Sequence, residues 1–310
     1  MIKVQLQTVE PKQLLKDSID LHVHCGPECI PRRLDAFSLA NAVKEYEMRT
    51  VVMKSHFQPT TDWAYLVQKY ALMKLYGSVT LNHGVGGVNP YAIKAALGPK
   101  IEGQTFLKIV WMPTIHAKAH LEAFRAEGCM YDIPPEWTGG KVIESAEKID
   151  QIKPITLSDP AVRENLDKVL NVIADNNLVL ATGHLSSQEV MQLVDEAKSK
   201  GVRKIIATHP IYKTTRMTVE QAKELAGKGV YLEQSYALHV IDKIPINIIA
   251  DFTRKVGPSH CVVTSDMGQL KSPLPPEGLI TFIKELIDRG LSPAEIQTMV
   301  KHNPQTLLGD

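Results

Sequence analysis

The 310-residue sequence predicts an α/β fold of the (β/α)8 TIM-barrel type, regular or distorted, on three observations. Eight short apolar runs rich in β-branched residues recur along the chain. Segments with helical periodicity separate most of them. Polar side chains able to ligate a metal fall at the C-terminal ends of the runs, where the loops of such a barrel build active sites. A doubly wound sheet is the alternative. No GxGxxG turn follows the first run, however, and "NHGVGGVNP" at 82 has neither the spacing nor the following acidic residue of that fingerprint.

In chain order the predicted strands are "SIDLHVH" at 18, "RTVVMKSH" at 49, "SVTLNHG" at 78 and "TFLKIVWM" at 105. They continue with "LVLATGH" at 178, "RKIIATH" at 203, "GVYLEQS" at 229 and "CVVTSD" at 261. Among the helical segments, "SSQEVMQLVDEAKSKG" and "MTVEQAKELAGKG" each open on a polar cap residue, repeat apolar residues at i, i+3 or i+4, and stop at glycine. The glycines of "NHGVGGVNP" read as a tight βα turn. Residues 115–157, after the fourth strand, exceed an ordinary connection and read as an insertion over the C-terminal face of a single 1–310 domain.

Composition narrows the function. A net charge of +1 argues against a nucleic-acid surface, and the hydrophobic content of 44% is that of an ordinary globular protein. No apolar run is long enough to span a membrane, and "MIKVQLQTVEPKQ" has no signal-peptide core. Four cysteines without paired CxxC motifs suggest free thiols. The expectation is a soluble cytoplasmic protein acting on a small molecule, with no nucleic-acid or membrane partner. Homo-oligomerisation is left open.

Strand side chains alternate, so Asp20, His22 and His24 should share the inward face of the first strand, with Leu21 and Val23 turned to the helices. His184, His209 and Asp266 end the fifth, sixth and eighth strands. Four histidines and an aspartate on one rim form an N/O donor set suited to zinc, manganese or iron.

These residues resemble the amidohydrolase superfamily of metal-dependent hydrolases. The likeness rests on the HxH pair, the single histidines after strands five and six, the aspartate after strand eight and the tail "HNPQTLLGD". Within that superfamily "DLHVHCGP", "KSH", "WMPT" and "TSDMG" look most like a group of small amidohydrolase-like proteins. The resemblance implies that His22, His24, His184, His209 and Asp266 ligate one or two divalent ions, zinc first. It implies a reaction class and no particular substrate. In two-metal members a carboxylated lysine on strand four bridges the ions, but here that strand ends "VWMPT". Lys108 would lie roughly 20 Å below the rim at ~3.3 Å per residue. Lys54, sharing a face with His56 at the end of strand two, is the better candidate for a carboxylated bridge, or for a cation that orients an anionic substrate.

The mechanism this implies is hydrolysis by a metal-activated water attacking a carbonyl or phosphoryl centre. Asp266 would transfer the proton, and His209 would ligate the metal or stabilise the oxyanion. His56, Asn82, Glu233 and Arg33 are the candidate substrate-binding residues, with Arg32 beside the last. Alternatives are a phosphoesterase of the polymerase-and-histidinol-phosphatase type, a metal-dependent decarboxylase and a non-catalytic metal-containing binder. Cys25 faces away from the barrel centre by parity, and His83, His116, His120 and His239 have no patterned partner.

Overall fold

The computed structural model describes residues 11–309, and each predicted run forms a strand in it. They are β1 Ile19–His24, β2 Thr50–Lys54, β3 Gly77–Thr80, β4 Leu107–Trp111, β5 Val179–Ala181, β6 Lys204–Ala207, β7 Tyr231–Ser235 and β8 Cys261–Thr264. Residues 1–10, read above for a signal core, and residue 310 of the tail lie outside the described residues.

β1 pairs with β2, and β3 to β8 form one six-stranded sheet in chain order, all in parallel. Single parallel bridges join the two sheets at both edges, Val52 to Tyr76 and Val23 to Met267. A short antiparallel ribbon, Lys100–Ile101 with Gln104–Thr105, precedes β4 and was not signalled by the sequence.

Local chemistry explains the predicted helix ends. Ser186 and Thr218 close capping boxes with Glu189 and Gln221, satisfying backbone N–H groups at the start of Ser187–Ser199 and Val219–Gly227. Beyond those helices lie Gly201 and Gly229, both at positive φ.

Two apolar layers result. Ile19, Leu21, Val52, Tyr76, Ile109, Trp111, Val179, Ala181, Ile206 and Val262 pack with one another on the side of the strands away from the helices. Val23, Val51, Met53, Val79, Leu180, Ala207, Leu232 and Val263 pack outward, with helix residues such as Leu39, Leu170, Leu193 and Phe282.

The first strand corrects the simple alternation expected of it. Its register against β2 shifts between Asp20 and Val23. An irregularity of this kind changes which face later residues occupy. Ile19 and Leu21 consequently lie in the inner layer, whereas Val23 lies in the outer one. Asp20 does not join the histidines at the rim. Its buried carboxylate accepts from the backbone N–H groups of His22 and Ser265 and ties β1 to the end of β8.

The excursion after β4 contains the helix Lys118–Ala126 and two short 3-10 turns, Pro135–Thr138 and Ile149–Gln151. Its ends are pinned together where Lys118 N donates to Ile155 O and Ile155 N donates to His116 O, both at 2.8 Å. Inside it Asp132 holds the chain, with Oδ2 facing His116 Nε2 at 3.2 Å and Oδ1 accepting from Glu147 N. His116, without a patterned partner in the sequence, is therefore part of this latch.

Gly268 permits the closest approach of β1 to the loop after β8. At φ +148°, a Cβ there would fall 2.0 Å from His24 O. Gly268→Ala should therefore cost at least about 3 kcal/mol in denaturant-induced unfolding. A change below about 1 kcal/mol would show that this loop is free to move away.

Candidate metal centre

The backbone brings the ends of β1 and β8 together before any side chain acts. Asp266 N donates to His22 O and His24 N donates to Met267 O, both at 2.9 Å. On this frame three imidazole nitrogens meet one carboxylate. His22 Nε2 and His24 Nε2 lie 3.0 and 3.1 Å from Asp266 Oδ1, and His209 Nε2 lies 3.3 Å from Oδ2. Asp266 and His209 both sit at positive φ, +51° and +45°. Non-glycine residues adopt that conformation at a cost of order 1–3 kcal/mol, which here turns two chelating side chains inward just beyond their strands.

Glu233 on β7 supports the group from behind. Its Oε1 lies 2.8 Å from His22 Nδ1 and accepts from Thr264 Oγ1 at 3.0 Å. Its Oε2 is 3.3 Å from His209 Nδ1, an ion-pair distance not aligned as a hydrogen bond. With Nδ1–H of His22 directed to Glu233, the His22 Nε2 lone pair faces the rim. It lies 2.9 Å from Lys54 Nζ. A carboxylate behind a ligating histidine fixes the tautomer that metal binding requires.

Electrostatics separates the groups. Burial alone would raise the Asp266 carboxyl, but His22, His209 and His24 outweigh it and hold it well below the usual range. Burial would likewise raise Glu233, and His209 and His22 bring it down. Burial would depress His209, yet the Glu233 and Asp266 carboxylates shift it up. Lys54, buried over the Trp111 ring, is lowered to about 8 by burial, with Asp266 and Glu233 opposing. Two histidine nitrogens and a carboxylate oxygen, from His22, His24 and Asp266, thus lie close enough to share an ion, with His209 on the other carboxylate oxygen. The donor set fits zinc, manganese or iron.

The cavity above this floor is lined by His24, Lys54, His56, His184, His209 and Asp266, together with Arg32, Trp137, Tyr212, Asp242 and Gln269. Lys54 is 1% exposed, so it is not the solvent-facing lysine that its position near a loop would also allow. His56 stacks on Trp137 at 5.5 Å and bonds Thr114 Oγ1 through Nδ1. His184 reaches the cavity but lies outside the three-donor groups. Its Nδ1 faces His120 Nδ1 at 2.9 Å.

Other expected positions are corrected. Asn82 does not line the cavity: its amide donates to His56 O and Thr114 Oγ1 and accepts from Thr114 N, joining the loops after β2, β3 and β4. Glu233 is 1% exposed and does not line the cavity; it faces His22 and His209, with which it forms a second group close enough to share an ion. Arg33 is exposed and donates to Ser272 O, whereas Arg32 turns into the cavity. Lys108 donates to Leu308 O in the tail, away from the rim. Cys25 is buried, and burial raises its thiol to about 12.

Sequence reasoning missed Glu28, His120, Trp137, Tyr212, Asp242 and Gln269. "THPIYK" placed Tyr212 three residues after His209, a usable signal. His120 lies on the helix Lys118–Ala126 inside the excursion, and the others lie in loops and short turns, where no period assigns a direction.

Comparison with known proteins adds family and fold. A family model described as "Family of unknown function (DUF6282)" matches residues 17–233. No curated protein matches. Among solved structures, the phosphotriesterase homology protein of Escherichia coli, complexed with phosphate in its active site, aligns with a TM-score of 0.60 at 12% identity, over 94% of this chain and 99% of its own. A probable 2-pyrone-4,6-dicarboxylic acid hydrolase of Acinetobacter baumannii, with citric acid bound, aligns at 0.54 and 14% identity, over 95% and 100%. A 2,6-dihydroxybenzoate decarboxylase, complexed with 2,6-dihydroxybenzoate, aligns at 0.52 and 9% identity, over 96% and 100%. This chain shares its fold with these structures.

Asp242 yields a pH prediction. Burial raises its carboxyl from 3.8 to about 6, against the opposing charge of Lys213. The folded state thus holds this proton more tightly than the unfolded chain, so the stabilisation is complete below about pH 4 and is lost as pH rises through about 6. Asp242→Asn cannot ionise. Relative to the parent it should gain about 2–3 kcal/mol between pH 4 and pH 8 in urea titrations. Parallel stability profiles for the two proteins would contradict the shift.

Proposed function

The chain belongs to the family described as "Family of unknown function (DUF6282)", and on that footing we propose that it is a metal-dependent hydrolase of amidohydrolase type, built as a (β/α)8 barrel. The observation that carries this reading is the meeting of His22, His24 and His209 on the Asp266 carboxylate, at the floor of a cavity. His22, His24, His209 and Asp266 would hold the ion, zinc first and manganese or iron as alternatives. A divalent ion supplies Lewis acidity toward a carbonyl or phosphoryl oxygen and makes water acidic enough to ionise near neutral pH.

The protein's own residues do the rest. Asp266, kept ionised by its imidazoles, accepts the proton of the attacking water and passes it to the leaving group. His209 lies between Asp266 and Glu233 and keeps the acceptor oxygen turned to the cavity. Buried Lys54 and His56 bind the substrate from the β2 side. A carboxylated Lys54, with His184, is the arrangement that a second ion would use. The excursion of 115–157 acts as a cover, a role supported by Trp137 in the cavity wall. Four free cysteines support a cytoplasmic setting. A second reading, decarboxylation of an aromatic acid, is favoured by the structural match to a decarboxylase.

Plasma mass spectrometry on protein purified without chelator should find one or two equivalents of zinc, manganese or iron. His22→Ala or Asp266→Ala should lose it. No metal after reconstitution with those ions would end the hydrolase reading. On a panel of lactones, esters, cyclic amides and phosphoesters, Asp266→Asn should lower turnover by about 100-fold or more with the fold retained. Unchanged turnover would remove Asp266 from its role. Glu233→Gln should weaken zinc binding about 10–100-fold in competition with a chromophoric chelator. An unaltered affinity would reduce Glu233 to packing.

A further inference from the structure

Two polar groups in the cavity wall keep hydrogen-bonding capacity that the protein does not use. The Arg32 side chain is 1% exposed. Its Nε donates to Glu28 Oε1 and its Nη2 lies 3.1 Å from His24 Nδ1, while Nη1 makes no hydrogen bond among the described residues. Gln269 is 8% exposed. Its Nε2 donates to Asp266 O, which fixes the orientation of the amide, and its buried Oε1 accepts nothing. Arg32 and Gln269 are antiparallel bridge partners, so their side chains leave the backbone as direct neighbours, and both line the cavity beside Asp266.

We propose, resting on the reading of Asp266 as the reacting centre, that the substrate is a carboxylate bearing a hydroxyl on the adjacent carbon. Arg32 holds the carboxylate and Gln269 accepts from the hydroxyl. A buried guanidinium with one free donor edge makes a charge-assisted bond to a carboxylate oxygen. A neutral amide oxygen beside it needs a donor, which a carboxylate alone lacks. A doubly charged phosphate fits less well, because its second charge would lie near Asp266 and Asp242. Leu238 and Ile241 in the same wall give the substrate's body an apolar surface.

The test is calorimetric titration of the full-length protein, zinc-loaded and chelator-stripped, with mandelate, mandelamide and phenylacetate. Mandelate should bind about tenfold more tightly than mandelamide and at least about fivefold more tightly than phenylacetate. Arg32→Gln should abolish the first preference and Gln269→Leu the second, while Arg33→Gln keeps both. Both preferences should persist without zinc, which separates the wall from chelation by the probe. Because Arg32→Gln alone leaves Glu28 buried without its cation, the double variant Glu28→Gln/Arg32→Gln tests the same loss in a neutral pocket. No mandelate binding to folded protein, preferences near one, or preferences that survive in the variants would overturn the proposal. Zinc counted on the same samples keeps the two readings apart. Preferences without any zinc uptake would sink the hydrolase reading alone, and zinc uptake without preferences would sink this one alone.

Discussion

The upper rim depends on Glu233, a carboxylate enclosed among two histidines and a threonine. A buried carboxylate without partners costs several kcal/mol, so it persists only where its oxygens are satisfied. His22 and Thr264 meet one oxygen, and His209 faces the other. The same contacts that make the carboxylate tolerable turn two imidazoles so that their Nε2 atoms face Asp266. Glu233 therefore links the stability of the strand ends to the chemistry above them.

The chain then uses local strain to finish the arrangement. His209 and Asp266 leave their strands in left-handed conformation, and Gly268 lets the next turn pass against His24 O at a distance no other residue allows. Such conformations persist only where surrounding structure over-determines them. Here the two apolar layers do so, one on each side of the strands. Trp111 connects layer and site: it is wholly buried in the inner layer, with His22 4.6 Å and Lys54 4.7 Å from its ring. Lys54 is thus held against an aromatic face rather than in water, which agrees with its lowered pKa.

How much of this was legible follows from periodicity. Strands of three to six residues carry a period of two, and His22, His24, Lys54, His209 and Asp266 stand near or just beyond the strand ends, so the eight strands and the gathering of these residues could be read from the chain. The register shift in β1 could not, because such an irregularity leaves no mark in an apolar-polar alternation, and a strict alternation puts Asp20 on one face with His22 and His24 and puts Leu21 with Val23. Arg32 and Arg33 are adjacent in a loop, where nothing in the sequence selects which one turns inward. His184 was read as a ligand like His209. Its partner His120 lies on a helix 64 residues earlier, a contact that only the folded excursion creates.

The carboxyls of this region show how one fold pushes the pKa values of its acids apart. Asp266 and Glu233 are surrounded by imidazoles and stay ionised despite burial. Asp20 and Asp242 meet weaker compensation, and burial raises them to about 7 and about 6. Asp20 faces backbone N–H groups beneath the rim, whereas Asp242 lines the cavity opposite the histidine cluster. Environments that push acid pKa values apart are a means of assigning acid and base roles within one site. By that logic Asp266 is the proton acceptor of the cavity. Asp242 is a wall residue whose carboxyl burial raises to about 6, and Asp20, wholly buried, serves the fold.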